Sequence, residues 1–68
     1  MSDTIYKKIN ITGTSKVSIE DAVNNAIVKA NETVRNLRWF EVEEVRGAIL
    51  DDLSVQWQVS VKIGFALE

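Results

Sequence analysis

The chain has 68 residues, eight of them Lys or Arg against ten Asp or Glu, for a net charge of −2, and it contains no cysteine, histidine or proline. Disulfides and the common zinc and haem sites are thereby excluded, and the charge has the wrong sign for a protein that lives on nucleic acid phosphates. A domain this small buries only ~60% of the surface its unfolded chain exposes, so a 46% hydrophobic content points to association with copies of itself as the source of further stability.

Residues 1–4 carry neither a basic region nor an apolar run, and no stretch approaches the ~20 apolar residues of a membrane span. The expectation is one unit over residues 1–68, soluble and cytoplasmic, in which the Asn-x-Thr triplets at Asn10 and Asn31 have no role as glycosylation acceptors. Residues 4–12 alternate, with Ile5, Lys7, Ile9 and Ile11 on one side and Tyr6, Lys8, Asn10 and Thr12 on the other. That period predicts a half-buried strand, ended by Gly13, Thr14 and Ser15.

From Ile19 the apolar spacing changes to threes and fours, running through Ala22, Val23, Ala26, Ile27 and Ala30 to Val34 and Leu37. This predicts one amphipathic helix. Ser18 is its N-cap, with Asp21 placed to return a carboxylate to the cap amide. Glu20 and Asp21 suit the positive end of the helix dipole, and Arg35 and Arg38 the negative end. Small residues at 22, 26 and 30 let the helix lie close against a sheet.

Residues 38–46 read as a second strand, 47–54 as a connection holding Asp51 and Asp52, and 55–67 as a third. In the third, Val55, Trp57, Val59, Val61, Ile63, Phe65 and Leu67 share one face. Thirteen residues at ~3.3 Å span ~43 Å, against a radius of gyration of ~11 Å for a compact chain of this length. The strand therefore either curves around the helix, with Gly64 as a bending point, or ends on neighbouring subunits. The fold class is α+β, a β-α-β-β unit in which the longest strand lies centrally. The sheet is antiparallel, of order 1-3-2, with one helix on one face and the other face partly bare.

On that bare face the second strand presents Trp39, Glu41 and Glu43, while Phe40 and Val42 face the core. Val45 then has the wrong parity, and a β-bulge near Glu43 and Glu44 restores it, turning Val45 inward and Arg46 outward beside Trp39. Gln58 lies on the outer face of the central strand, next to the second. An indole offers a flat π surface and an amide a donor and an acceptor in one plane, so Trp39 and Gln58 form a candidate site for a planar, hydrogen-bonding ligand. The competing reading is a Trp39 that seals a subunit contact beside a solvated Gln58.

Trp57 fits the core or an interface, Asp51 and Asp52 a solvated turn, and Glu41, Glu43 and Glu44 a solvated face. Thr14 and Ser15 have no histidine to activate them. No catalytic site and no metal site assembles, and the chain is read as a binding protein and not an enzyme.

Taken together, Tyr6-Lys7-Lys8, Gly13-Thr14-Ser15, Leu37-Arg38-Trp39-Phe40-Glu41-Val42, Arg46-Gly47, Trp57-Gln58-Val59 and Gly64-Phe65-Ala66-Leu67-Glu68 resemble a bacterial-type dodecin over nearly the whole chain. The resemblance implies a hollow homododecamer that binds FMN, riboflavin or FAD in pairs between subunits, with Trp39 stacked on the isoalloxazine and Gln58 on its pyrimidine edge. It also implies Arg46 at the flavin site, facing the ribityl phosphate. Ala66 departs from the basic residue of many bacterial relatives, which bears on phosphate recognition. The implied function is flavin storage with quenching of its photochemistry. The alternatives are a structural cage without flavin and a coenzyme A-binding assembly. A flavin-dependent oxidoreductase is disfavoured, because paired, enclosed flavins leave a hydride donor little access.

Overall fold

The computed structural model describes residues 3–67. It contains β1 (Ile5–Ser15), α1 (Ile19–Asn31), β2 (Leu37–Ile49) and β3 (Val55–Leu67). The sheet order is β1-β3-β2, with β3 antiparallel to both neighbours. This is the β-α-β-β unit with the third strand central that the alternation predicts.

β1 runs three residues further than its apolar pattern suggests. Gly13, Thr14 and Ser15 pair with Val59, Gln58 and Trp57 and do not end the strand. Gly13 is needed here for closeness: a Cβ at that position would strike the carbonyl oxygen of Ala22 and lie 2.9 Å from the Ala26 Cβ. The helix thus rests directly on the strand backbone through its small residues.

The buried Ser15 carries the chain from strand to helix. Its Oγ donates to the Asp21 carboxylate at 2.6 Å and accepts from the Val17 N–H at 2.9 Å. Ser18 is the N-cap, its Oγ accepting from the Asp21 N–H at 3.0 Å. Asp21 does not close a reciprocal capping box, because its carboxylate is engaged by Ser15 and by Asn25.

α1 stops at Asn31, capped by Glu32, and not at Leu37. Val34, Arg35 and Arg38 lie beyond it, leaving Lys29 as the base in its last turn. Asn36, at φ 64, turns the chain into β2, a left-handed conformation that asparagine tolerates well. Leu37 then pairs with Phe65 on β3.

β2 contains two irregularities, between Leu37 and Trp39 and between Val42 and Glu44. The second is the bulge its hydrophobic pattern requires. Beyond it Val45 pairs with Val59 on the helix side, and Arg46 with Gln58 on the outer side. The first, at Arg38, is not legible in the alternation and brings Leu37 to the same side as Phe40. The strand also extends to Ile49, leaving only residues 50–54 as the hairpin turn. Leu50 and Ser54 close that turn, and Asp52 Oδ1 accepts from the N–H and the hydroxyl of Ser54.

The core is small: Ala22, Val23, Ala26, Ala30, Val59, Val61 and Ile63, with Ile9, Ile11, Ile27 and Leu37 packed at its edge. α1 packs on β1 and β3, so the helix side of β2 is bare. Phe40, Val42, Val45 and Ile49 are 47%, 49%, 45% and 76% exposed. An apolar stripe of this kind is what an interface covers. The chain measures 56 × 20 × 14 Å, with a radius of gyration of 14.2 Å, and β3 keeps its pairing along all thirteen residues. It does not curl back into a compact monomer.

Candidate functional site

The outer face of the sheet carries the candidate residues. Trp39 reaches it on β2 opposite Gly64 of β3. A Cβ on Gly64 would fall among atoms of the indole, so the ring lies flat on the strand where glycine leaves room. Tyr6, from β1, meets it edge-on with ring centroids 5.0 Å apart and planes at 70°. Trp39 keeps 37% of its surface exposed. Gly64 is therefore a platform under the indole.

The indole is also fixed in its plane. Its Nε1–H donates to Glu41 Oε2 at 3.1 Å, and Lys8 Nζ approaches the same oxygen at 3.1 Å. These contacts, the indole N–H first and the Lys8 hydrogen bond and charge next, hold the Glu41 carboxyl below its ordinary value of 4.5. The carboxylate is charged at neutral pH and bound from two sides.

Further along the same face Arg46 pairs with Gln58. Arg46 Nε donates to Gln58 Oε1 at 2.6 Å, and its Nη1 meets Glu44 Oε1 at 2.7 Å. Between the two groups, Lys62 pairs with Glu43 at 3.2 Å. The three acidic residues of β2 thus each meet a cation: Lys8, Lys62 and Arg46. Among the described residues no group of His, Cys, Asp or Glu side chains is arranged to hold a metal ion, and no helix is long and apolar enough to cross a membrane.

The structure brings Arg46 and Gln58 together but keeps both away from Trp39. Trp39 is opposite Gly64, six positions from Gln58 on β3, or ~20 Å at ~3.3 Å per residue. Arg46 faces outward as its register demands, yet it does not stand beside Trp39 in one chain. Ala66 pairs with Tyr6 at the Trp39 end and supplies no cation there. The residues that sequence reasoning missed are Gly64, Glu41 and Tyr6 as the seat of the indole. A glycine inside a strong apolar strand is the available signal, since it often marks a close approach.

Two depressions flank this face. One, of about 170 Å³, is lined by Ile27, Leu37, Arg38, Trp39, Phe40 and Ile63 at the edge of the core. The other, polar and broader, lies over Asn10, Thr12, Glu43, Glu44 and Ser60, where Thr12 Oγ1 and Ser60 Oγ are 2.9 Å apart. Neither reaches both Trp39 and Gln58.

Comparison with known proteins gives a consistent result. The family model described as Dodecin matches residues 5–68. A dodecin from Thermus thermophilus is 42% identical over 64 residues, 94% of this chain and 93% of that protein. The solved dodecin from Streptomyces coelicolor superposes with a TM-score of 0.90 at 46% identity, over 100% of this chain and 97% of its own. A calcium dodecin from Mycobacterium tuberculosis superposes with a TM-score of 0.85 at 28% identity, over 94% of this chain and 91% of that one.

Proposed function

Since the chain belongs to the dodecin family, we propose that it is a flavin-binding storage protein and not an enzyme. It acts in the cytoplasm as a hollow homododecamer that sequesters FMN or a related flavin in pairs. Trp39 provides the stacking surface, Gln58 the hydrogen bonds to the pyrimidine edge of the ring, and Arg46 a guanidinium at the flavin site, toward the ribityl phosphate. The observation that carries this reading is the indole laid flat on Gly64 and left partly accessible on the outer face. A planar heteroaromatic ring fits such a surface.

The ~20 Å between Trp39 and Gln58, six residues apart along β3 at ~3.3 Å each, means that one chain offers half a site, so the indole of one copy and the amide of another enclose each ligand. The exposed stripe of Phe40, Val42, Val45 and Ile49 supports the association this requires. Bound flavin supplies a light-absorbing, electron-accepting ring, and Trp39 in van der Waals contact supplies the electron that quenches it. Arg46 is already engaged by Gln58 and Glu44, and Ala66 adds no second cation. Both features favour recognition of the ring over the phosphate.

The experiment is purification from cells followed by absorption and fluorescence. A yellow assembly whose flavin emission appears only on denaturation, and whose Trp39→Ala variant loses FMN affinity by at least ten-fold, supports the reading. A colourless assembly that neither takes up added flavin nor survives Trp39→Ala identifies a cage in which Trp39 seals contacts.

A further inference from the structure

Glu41 stands in an arrangement that solvation alone does not explain. Of the carboxylates on the outer face it is the one that accepts a hydrogen bond from the indole N–H, at 3.1 Å. Lys8 from β1 anchors the same oxygen, and Lys62, opposite Glu41 on β3, adds a second positive charge while pairing with Glu43. Trp39 is thus held by Gly64 beneath, Tyr6 at its edge and Glu41 at its only polar atom.

An indole N–H is a very weak acid while the ring is neutral and becomes about as acidic as a carboxylic acid when the ring loses an electron. A carboxylate already hydrogen-bonded to that hydrogen is a general base in position, with no reorganisation required. Resting on the reading that Trp39 donates an electron to an excited flavin, we propose that Glu41 orients the indole on Gly64 and takes its Nε1 proton when the ring is oxidised. One electron leaves the indole and one proton passes from Nε1 to Glu41 Oε2. On recombination the electron returns to the ring and the proton to Nε1, so nothing is consumed. The indole N–H first, then Lys8 and Lys62, hold the Glu41 carboxyl low, so it is a weak base and the return is favoured.

The step is testable without flavin. In the full chain carrying Trp57→Phe, so that Trp39 is the sole indole, a one-electron oxidant such as the azide radical generates the oxidised ring. Glu41→Gln keeps an oxygen acceptor for Nε1–H but removes the base. The expected result is deprotonation of the indole radical cation at least ten-fold faster in the chain that retains Glu41 than in the Glu41→Gln variant, while the near-ultraviolet circular dichroism of Trp39 is kept in Glu41→Gln and lost in Glu41→Ala. Equal deprotonation rates overturn the proton transfer, and an unchanged dichroism in Glu41→Ala overturns the orienting role. In FMN-loaded protein, quenching that survives Trp39→Phe overturns instead the electron-donation reading on which the proton transfer rests.

Discussion

Trp39 and Gly64 are directly paired across β2 and β3, and the indole fills the space that a side chain at position 64 would need. The contact lets a large aromatic lie parallel to an outward sheet face instead of standing off it. Gly64→Ala is expected to lift the ring from the strand while the ladder on either side persists. FMN affinity then falls by roughly ten-fold or more, ~1.4 kcal/mol, with the far-ultraviolet circular dichroism unchanged. Fluorescence titration beside a circular dichroism spectrum checks both halves.

A second glycine acts on the helix side. A methyl group on Gly13 would meet the Ala22 carbonyl oxygen, a backbone atom that moves only with the whole helix. Gly13→Ala should destabilise the fold by about 1–3 kcal/mol, the usual cost of overpacking. Denaturant unfolding at a fixed protein concentration measures it, since dissociation otherwise enters the midpoint.

The apolar stripe on the helix side of β2 has no cover within its own chain. Val45→Lys keeps the strand and its pairing with Val59 but places a charge in the stripe. Smaller species are expected in place of the native assembly when mass is measured in solution, whereas Lys62→Gln on the opposite face should leave the mass distribution unchanged.

Acid sensitivity follows from two carboxylates. Glu41 is held below 4.5 by Trp39 and Lys8, and Asp52 below 3.8 by the side-chain and backbone hydrogen bonds of Ser54. For a group whose folded value is lowered, the stabilisation is present above the unfolded value and disappears as pH falls through the folded one. Stability should therefore be level from neutral pH down to about 5 and decline below it. The double variant Glu41→Gln with Asp52→Asn should show a shallower decline in melting temperature over that range. Both groups are exposed, so the change is small.

Much of this architecture was legible from alternation alone. The length of β3 and the bulge at Glu43 follow from side-chain parity, because a one-residue slip exchanges the two faces of a strand, and the 1-3-2 order follows from placing the longest, most apolar strand centrally. The end of α1 was not legible: Val34 and Leu37 continue the helical spacing, yet Leu37 is used by β2 after a turn at Asn36 that periodicity does not register. The reach of β1 was hidden for a related reason. Gly-Thr-Ser reads as a stop, whereas Gly13 admits the helix and Ser15 ties the strand end to it. At the site, the residue types that suit a planar ligand were readable. The gap between Trp39 and Gln58 was not, since it depends on which residue of β3 each position on β2 faces.

That gap has a thermodynamic consequence. A site divided between two chains has an occupancy that depends on the concentration of protein as well as of ligand. Each ligand bound holds chains together, and by reciprocity each association raises affinity for the ligand. Dilution should release ligand even where free ligand is held constant, and saturation with ligand should lower the protein concentration at which the assembly comes apart. Under the proposed function, binding and assembly are one equilibrium observed through two signals.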